Sequence, residues 1–258
     1  MIKQYKIVYI LICTLILCSC ATKKNIVYFQ DEILTKDMED LTSNFEIRFK
    51  TDDLLTIAVS SVEPAAAMPF NLPAIGTNIR VDAAQAPLRI QTYLIDKEGN
   101  IEFPEIGTIK IGGLTRSEAN QMMKKKLSEY INNPIVNIRL ANFSISVLGE
   151  VNRPGTFLIQ DERISLLEAI GLAGDLTIYG KRENVFLIRE IDGQKRYAKF
   201  DLTSINVVNS PNFYLTQNDV IYVEPNKTKL RQANYTPNNG VFISAIATLA
   251  TIAAILIK

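Results

Sequence analysis

The fold of this chain is decided by the stretch Phe143-Ser-Ile-Ser-Val-Leu-Gly149-Glu-Val-Asn-Arg-Pro154-Gly155-Thr-Phe-Leu-Ile159 and the later Ser165-Leu-Leu-Glu168-Ala-Ile-Gly-Leu-Ala-Gly174-Asp175. Ile145 and Val147 alternate with serines, which predicts a half-buried strand. The Gly, Asn and Pro residues that follow predict a turn into a second short strand. A helix should come next, because apolar residues recur at helical spacing after Ser165.

The ends of this helix are also marked in the sequence. Ser165 is the predicted N-cap, and Glu168 stands three residues later as its capping-box partner. Gly174 is the predicted helix stop. The sequence therefore predicts a strand, turn, strand and helix unit that contains no catalytic side chain.

Three motifs in this region resemble a known family: Gly149-Glu-Val-Asn-Arg-Pro-Gly155, Leu167-Glu-Ala-Ile-Gly-Leu-Ala-Gly174 and Val185-Phe-Leu-Ile-Arg189. Together they resemble the SLBB (soluble ligand-binding β-grasp) module of outer-membrane polysaccharide export proteins. The preceding stretch resembles the polysaccharide-export domain, through the ordered series Asp96, Gly99, Pro104, Gly107, Gly113-Leu-Thr115 and Asn133-Pro134. The resemblance covers most of the chain from Phe45 to Pro225.

The resemblance implies an α+β fold with two domains and one C-terminal transmembrane helix. The expected divisions are a lipoprotein signal peptide (1–19), a tether (20–44), a polysaccharide-export domain (45–141), a β-grasp-like SLBB domain (142–225), a linker (226–239) and the transmembrane helix (240–258).

Composition excludes several classes of function. The chain has 258 residues, no histidine, and 28 basic against 27 acidic residues. Without histidine there is no imidazole base and no histidine-ligated metal, and a near-zero net charge is not that of a nucleic-acid binder. We therefore expect no enzymatic activity, no catalytic or metal-binding residues, no cofactor and no nucleic-acid partner.

The first twenty residues resemble a lipoprotein signal. A charged start is followed by the apolar run 7–17. All three cysteines of the sequence lie in this region: Cys13 is within the run, and Cys18 and Cys20 follow it. The tetrapeptide that ends at Cys20 resembles a lipobox, which implies that Cys20 carries membrane lipid and begins the mature protein. Ala21, in place of an aspartate, favours the outer membrane, with the folded domains in the periplasm. The alternative is an uncleaved anchor helix with incidental cysteines.

In the first domain, the segments 45–50 and 55–60 are predicted strands joined by a turn at residues 51–53, and residues 63–87 form a long predicted loop. A helix should start at Thr115, with Glu118 completing a capping box. Its predicted apolar face consists of Ala119, Met122, Met123, Leu127 and Ile131.

Several charged residues could have a specific functional role. Asp52 and Asp53 could be read as a catalytic carboxylate pair, but they stand where aspartates cap a turn. The lysine run 124–126 fits a solvated helix face, or else contact with an anionic glycan or phospholipid. The glycine pairs before the helices lack the spacing of phosphate-binding loops.

In the second domain, strands at 184–190 and 195–200 flank Asp192-Gly193, a hairpin signal, and a final strand ends at Glu224. Asn218 precedes that strand where the family has glycine, and asparagine tolerates left-handed backbone geometry.

Residues 241–257 carry no charge and predict a C-terminal helix. A helix of this size is roughly 26 Å long, enough for one crossing of a thin bilayer. Its small or hydroxyl face comprises Ser244, Ala247, Thr248, Thr251 and Ala254. That face suits a neighbouring helix or a modestly polar lumen. The alternative is a simple tail anchor whose hydroxyls bond to their own helix.

By resemblance, we expect the protein to form a homo-oligomeric ring that conducts capsular or extracellular polysaccharide. The implied partner is an inner-membrane polysaccharide co-polymerase, often fused to or paired with a tyrosine kinase. A second hypothesis is a membrane-anchored SLBB adaptor that binds glycan and forms no pore. A third, weaker one is a glycan-processing enzyme that uses a pair such as Glu102 and Glu105.

Overall fold

A computed structural model describes residues 26–31, 45–73, 75–76, 88–89, 91–191, 193–233, 241, 244–249 and 251–252. They form two domains of mixed helix and strand, each with its own apolar core. Leu140, at the junction, packs against both cores. The mixed α and β composition expected from the sequence is therefore confirmed.

The first domain is built on a small antiparallel sheet with the strand order β4-β1-β7. Its strands and helices are β1 (Leu54–Ser60), α1 (Pro64–Ala67), β2 (Ile75–Gly76), β3 (Leu88–Arg89), β4 (Tyr93–Leu94), β5 (Asn100–Phe103), β6 (Gly107–Lys110), α2 (Arg116–Leu127) and β7 (Ile135–Leu140). Strands β5 and β6 form a separate hairpin, as do β2 and β3.

Helix α2 covers this sheet through the apolar face that the sequence predicts. Thr115 and Glu118 form the predicted capping box. Four of the five predicted face residues are buried and the fifth, Met122, is partly buried against the same core. Lys124, Lys125 and Lys126 are exposed on the solvent side of the helix.

Two predictions for the first domain are wrong. Residues 45–50 form no strand, because their backbone is used in isolated contacts with the start of α2, such as the bond from Phe49 N–H to the Leu114 carbonyl oxygen at 2.9 Å. The predicted loop also contains α1 and a 3-10 turn at Met68–Phe70. Ala67 and Phe70 are buried there, so their contribution to the core orders a segment that lacks periodicity.

The second domain contains a five-stranded sheet with the order β11-β10-β12-β8-β9, in which only the β12–β8 pair is parallel. Its strands and helices are β8 (Ser144–Gly149), β9 (Gly155–Leu158), α3 (Leu166–Leu172), β10 (Gly180–Ile191), β11 (Gln194–Phe200), β12 (Val220–Pro225) and, after the sheet, α4 (Lys227–Ala233). The crossover between the two parallel strands carries α3, as in a β-grasp arrangement.

Local signals in the second domain give the structures they predict. Ser165 and Glu168 form a capping box at the start of α3, and Gly174 beyond its end has the left-handed φ of +75°. The β10–β11 hairpin turns where Ile191 faces Gln194. Asn218 adopts φ +65°, so asparagine does replace glycine in the left-handed turn. The predicted linker differs from expectation, since it begins with α4.

Residues 26–31, within the predicted tether, lie against the second domain. The Phe29 and Gln30 N–H groups donate to the carbonyl oxygens of Leu202 and Thr203, at 3.2 and 2.6 Å. The Tyr28 hydroxyl donates to the Asp175 carboxylate, and burial raises the pKa of Tyr28 above its usual value. Tyr28 and Phe29 therefore pack onto the second core.

The N-terminal signal region with Cys20, and most of the tether, lie outside the described residues. Within the described parts of the chain, no helix is both long and apolar enough to cross a membrane. The predicted transmembrane helix is described at positions 241, 244–249 and 251–252, all helical.

The turn before β1 holds a titratable group. Asp53 is 2% exposed, and its carboxylate accepts a hydrogen bond from the Lys50 N–H at 2.8 Å. Burial raises the pKa of Asp53 from 3.8 to about 6, although the Lys50 N–H and the Lys50 charge act in the opposite direction. The folded state therefore binds this proton more tightly than the unfolded state does.

We expect the fold to gain stability from Asp53 as the pH falls through about 6, and this gain to level off below the unfolded pKa of about 4. Asp53→Asn keeps an acceptor for Lys50 and cannot ionise. Near pH 8 the variant should unfold at a temperature at least as high as that of wild type. As the pH falls, the unfolding temperature of wild type should rise relative to that of the variant. Thermal melts across this range test the expectation. The control is Glu129→Gln, at an exposed residue that is not among the groups that shift the Asp53 pKa. Parallel pH profiles for wild type and Asp53→Asn would contradict it.

Candidate functional site

A concave feature lies between the two domains. It is a cleft of about 830 Å³, lined by both domains and by the segment that enters the first one. Its lining residues are Phe45, Glu46, Ile47, Phe49, Thr115, Arg116, Ser117, Arg139, Leu140, Phe143, Gln160, Asp161, Glu162, Arg163, Ser165, Glu168, Phe213 and Tyr214. Its volume is typical of a ligand site.

Helices α2 and α3 both begin at the cleft, and their capping boxes satisfy the hydroxyl groups there. The Thr115 hydroxyl accepts from the Glu118 N–H at 3.2 Å, and the Ser165 hydroxyl donates to the Glu168 carboxylate at 2.8 Å. The Thr115 N–H, with a smaller contribution from the Arg48 charge, lowers the pKa of Glu118 below its usual value. The buried positions of Thr115 and Ser165 beside capping carboxylates are thus explained by their role in starting a helix. No nucleophilic role is needed to explain them.

One wall of the cleft is aromatic. The Phe45 and Tyr214 rings stack with centroids 5.5 Å apart, and Phe213 meets Tyr214 edge-on at 5.3 Å. The Arg163 guanidinium lies 5.1 Å from the centroid of the Tyr214 ring. These contacts hold the wall in one arrangement, since each ring or cation restricts its neighbours.

The rim of the cleft carries charges of both signs. Arg116 of α2 and Glu162 of the second domain form an ion pair at 2.7 Å that joins the two domains across the rim. Arg139 and Asp161 also line the cleft, and within the described ranges neither side chain makes a hydrogen bond or an ion pair. The cleft therefore offers an unpaired guanidinium and an unpaired carboxylate beside an apolar wall.

The predicted acid pairs do not belong to this cleft. Asp52 is an exposed turn residue with φ +67°, and Asp53 caps the same turn, so the turn interpretation is confirmed. Glu102 accepts a hydrogen bond from the Thr108 hydroxyl at 2.6 Å in the β5–β6 hairpin, and Glu105 is in its turn. Among the described residues, no group of three or more His, Cys, Asp or Glu could hold a metal ion.

Part of the predicted membrane-helix face is described. The Thr248 hydroxyl donates to the Ser244 carbonyl oxygen at 2.6 Å, and the Thr251 hydroxyl to that of Ala247 at 2.7 Å. These hydroxyls thus bond to their own helix, as the tail-anchor alternative predicts. Ala254 and the lipidation residue Cys20 lie outside the described residues.

Sequence reasoning missed the cleft. Its lining comes from several separate segments, and no local pattern signals that they meet.

The second domain has a β-grasp-like sheet, and a cleft lined by aromatic and charged residues lies between the domains. These features define a two-domain α+β protein of the binding or scaffold kind. Comparison with known proteins gives its family. Residues 42–141 match the profile described as polysaccharide biosynthesis/export protein, and residues 144–223 match that of the SLBB domain. The chain belongs to the outer-membrane polysaccharide export family with an SLBB domain, as the resemblance implied.

Two relatives are both called EPS I polysaccharide export outer membrane protein EpsA. The one from Ralstonia nicotianae is 25% identical over 205 residues, which cover 75% of this chain and 53% of the relative. The one from Ralstonia solanacearum is 24% identical over 205 residues, covering 75% of this chain and 54% of the relative. The match thus spans only about half the length of these relatives.

Proposed function

We propose that this protein is an outer-membrane lipoprotein that assembles into a closed ring and conducts capsular or extracellular polysaccharide out of the cell. The observation that carries the proposal is the consecutive match to a polysaccharide-export domain and an SLBB domain. Relatives that share 205 aligned residues with the chain are named as outer-membrane export proteins for a polysaccharide. The protein acts as a passive conduit, without catalysis of its own.

The proposed anchoring uses both ends of the chain. Lipid on Cys20 holds the N-terminal end, and residues 240–258 enter the membrane at the C-terminal end. Residues 26–31 pack on the second domain and α4 directly follows its last strand, so both proposed anchors connect to this domain, which supports its placement close to the membrane. Mass spectrometry of the mature N-terminus tests the lipid, since an unmodified Cys20 would rule it out.

The ring needs several copies, because one helix cannot enclose a pore. We propose a cyclic, heterologous contact between identical chains, which closes without leaving free surfaces. The small or hydroxyl face of the C-terminal helix then meets its neighbour or the lumen. An inner-membrane polysaccharide co-polymerase, with its tyrosine kinase, supplies the driving force and the polymer.

A second candidate function is a glycan-binding adaptor that is anchored in the membrane and forms no pore. It is favoured by the hydroxyls of Thr248 and Thr251, which bond within their own helix and need no neighbour. In this case the C-terminal segment is a tether. The two functions differ in stoichiometry.

We expect the detergent-extracted full-length protein to have the mass of a closed multimer by light scattering, and a variant that ends at Asn239 to lose that assembly. In a strain that lacks the gene, the full-length chain should restore polymer secretion. A variant with only the hydroxyls removed, Thr248→Val with Thr251→Val, is the control and should keep the multimer, because these groups bond internally. A monomer in several mild detergents would favour the adaptor.

A further inference from the structure

We propose that the cleft between the two domains binds a carbohydrate segment of the exported polymer. This inference rests on the proposed function, since that function supplies the polymer as the ligand. It goes further, because neither the domain matches nor the relatives' names place a ligand in this cleft. The shape of the cleft, its aromatic wall and its unpaired polar groups all fit such a ligand.

The shape suits a small part of a longer molecule. The cleft volume of about 830 Å³ lies at the upper end of the range for small-molecule sites. The Arg116–Glu162 pair, at 2.7 Å, spans the rim and holds the two walls together. A cleft that is already formed in the free protein loses little conformational entropy when it is filled.

The aromatic wall suits the apolar face of a sugar ring. A pyranose has C–H groups on its faces and hydroxyls around its edge, so it needs a flat apolar surface beside polar groups. Phe45 is half-buried and stacks on Tyr214, which fixes the ring in position. A fixed aromatic surface contributes contact area without loss of side-chain freedom.

The polar groups of the cleft suit the hydroxyls of a sugar better than they suit a ligand that carries a single charge. The Arg139 guanidinium offers several N–H donors in one plane, and the Asp161 carboxylate offers acceptors only. A strong anion would be repelled by Asp161 and Glu46, and a strong cation by the arginines. Sugar hydroxyls both donate and accept, so they can use charges of both signs. Hydrogen bonds to charged groups are also the stronger kind.

The test uses oligosaccharides released by partial hydrolysis from the polymer that the producing cell exports. Titrated calorimetrically into the detergent-solubilised full-length protein, they should bind saturably. Arg139→Ala should weaken binding about tenfold, the loss of one charge-assisted hydrogen bond. Phe45→Ala should weaken it to a similar degree. Arg196→Ala is the matched control, since Arg196 is equally exposed but lies on β11 outside the cleft, and its affinity should be unchanged.

The Arg139 variant separates binding from folding. Arg139 is exposed and has no polar partner in the described parts of the chain, so its removal should leave the unfolding temperature unchanged. The inference is overturned if the wild-type protein does not bind the fragments, or if Arg139→Ala and Phe45→Ala bind them as wild type does. Wild type that restores secretion without binding the fragments overturns the cleft site and leaves the export function standing. If the wild-type protein binds the fragments but does not restore secretion, the export function is overturned and the cleft site stands.

Discussion

Asp219→Ala should lower the free energy of unfolding by about 3–5 kcal/mol, because it leaves a buried guanidinium without its counter-ion. The Asp219 side chain is 1% exposed and that of Arg189 is 10% exposed, and their closest nitrogen and oxygen atoms are 2.7 Å apart. Two nitrogens of Arg189 donate to the carboxylate, so the pair is bidentate. Urea unfolding followed by circular dichroism measures the loss.

The pair also organises the turn that precedes β12. Asp219 accepts from the Thr216 N–H at 2.7 Å, and Arg189 donates to the Tyr214 carbonyl oxygen at 2.9 Å. Asp219→Ala therefore removes the hydrogen bonds to Thr216 and the counter-ion that positions Arg189 against the Tyr214 carbonyl oxygen, beside the cleft. We expect the loss of stability to come with weaker order in this wall of the cleft.

Two further variants separate burial from charge. Glu162→Gln breaks an ion pair of similar length whose side chains are 45% and 67% exposed, and it should change stability by less than about 1 kcal/mol. The double variant Arg189→Met with Asp219→Leu removes both buried charges and should recover part of the loss. Equal effects of Asp219→Ala and Glu162→Gln would contradict the role of burial.

Gly149→Ala should lower the free energy of unfolding by roughly 3 kcal/mol or more, because no side chain fits at this position. Gly149 ends β8 with φ +92°, where an L-residue is strained. A Cβ added there would also overlap the carbonyl oxygen of Val223 on β12. That oxygen already accepts from the Glu150 N–H at 3.0 Å, so the parallel strand pair would have to move apart. Chemical denaturation of the purified variant measures the effect.

Gly171→Ala is the matched control for Gly149→Ala. Gly171 lies within α3, and a Cβ there would meet no atom within 4 Å. Alanine is the better helix former, so this variant should gain about 0.5–1 kcal/mol. The same substitution thus has opposite signs at two glycines of one domain. A mild effect at Gly149 would show that β8 and β12 separate easily.

Features that depend on neighbouring residues were predictable from the sequence. The capping boxes at Thr115 and Ser165 need only a glutamate three residues later, and the β10–β11 hairpin needs only a short turn between two strands. The family motif at 149–155 was also readable, because turn residues at fixed spacing leave few alternatives. The strand expected at 45–50 failed, since alternation of apolar residues does not supply a partner strand.

The sequence by itself therefore determined the mixed helix and strand content, through local patterns, and the family with its two domains in order, through the resemblance of its motifs. Only the tertiary structure brought Phe45 to Tyr214 and Arg116 to Glu162, and only it docked residues 26–31 on the second domain. Such contacts join segments far apart in the chain, and their partners are selected by how the two cores pack. No local pattern encodes that choice, so the cleft had to be seen in the folded protein.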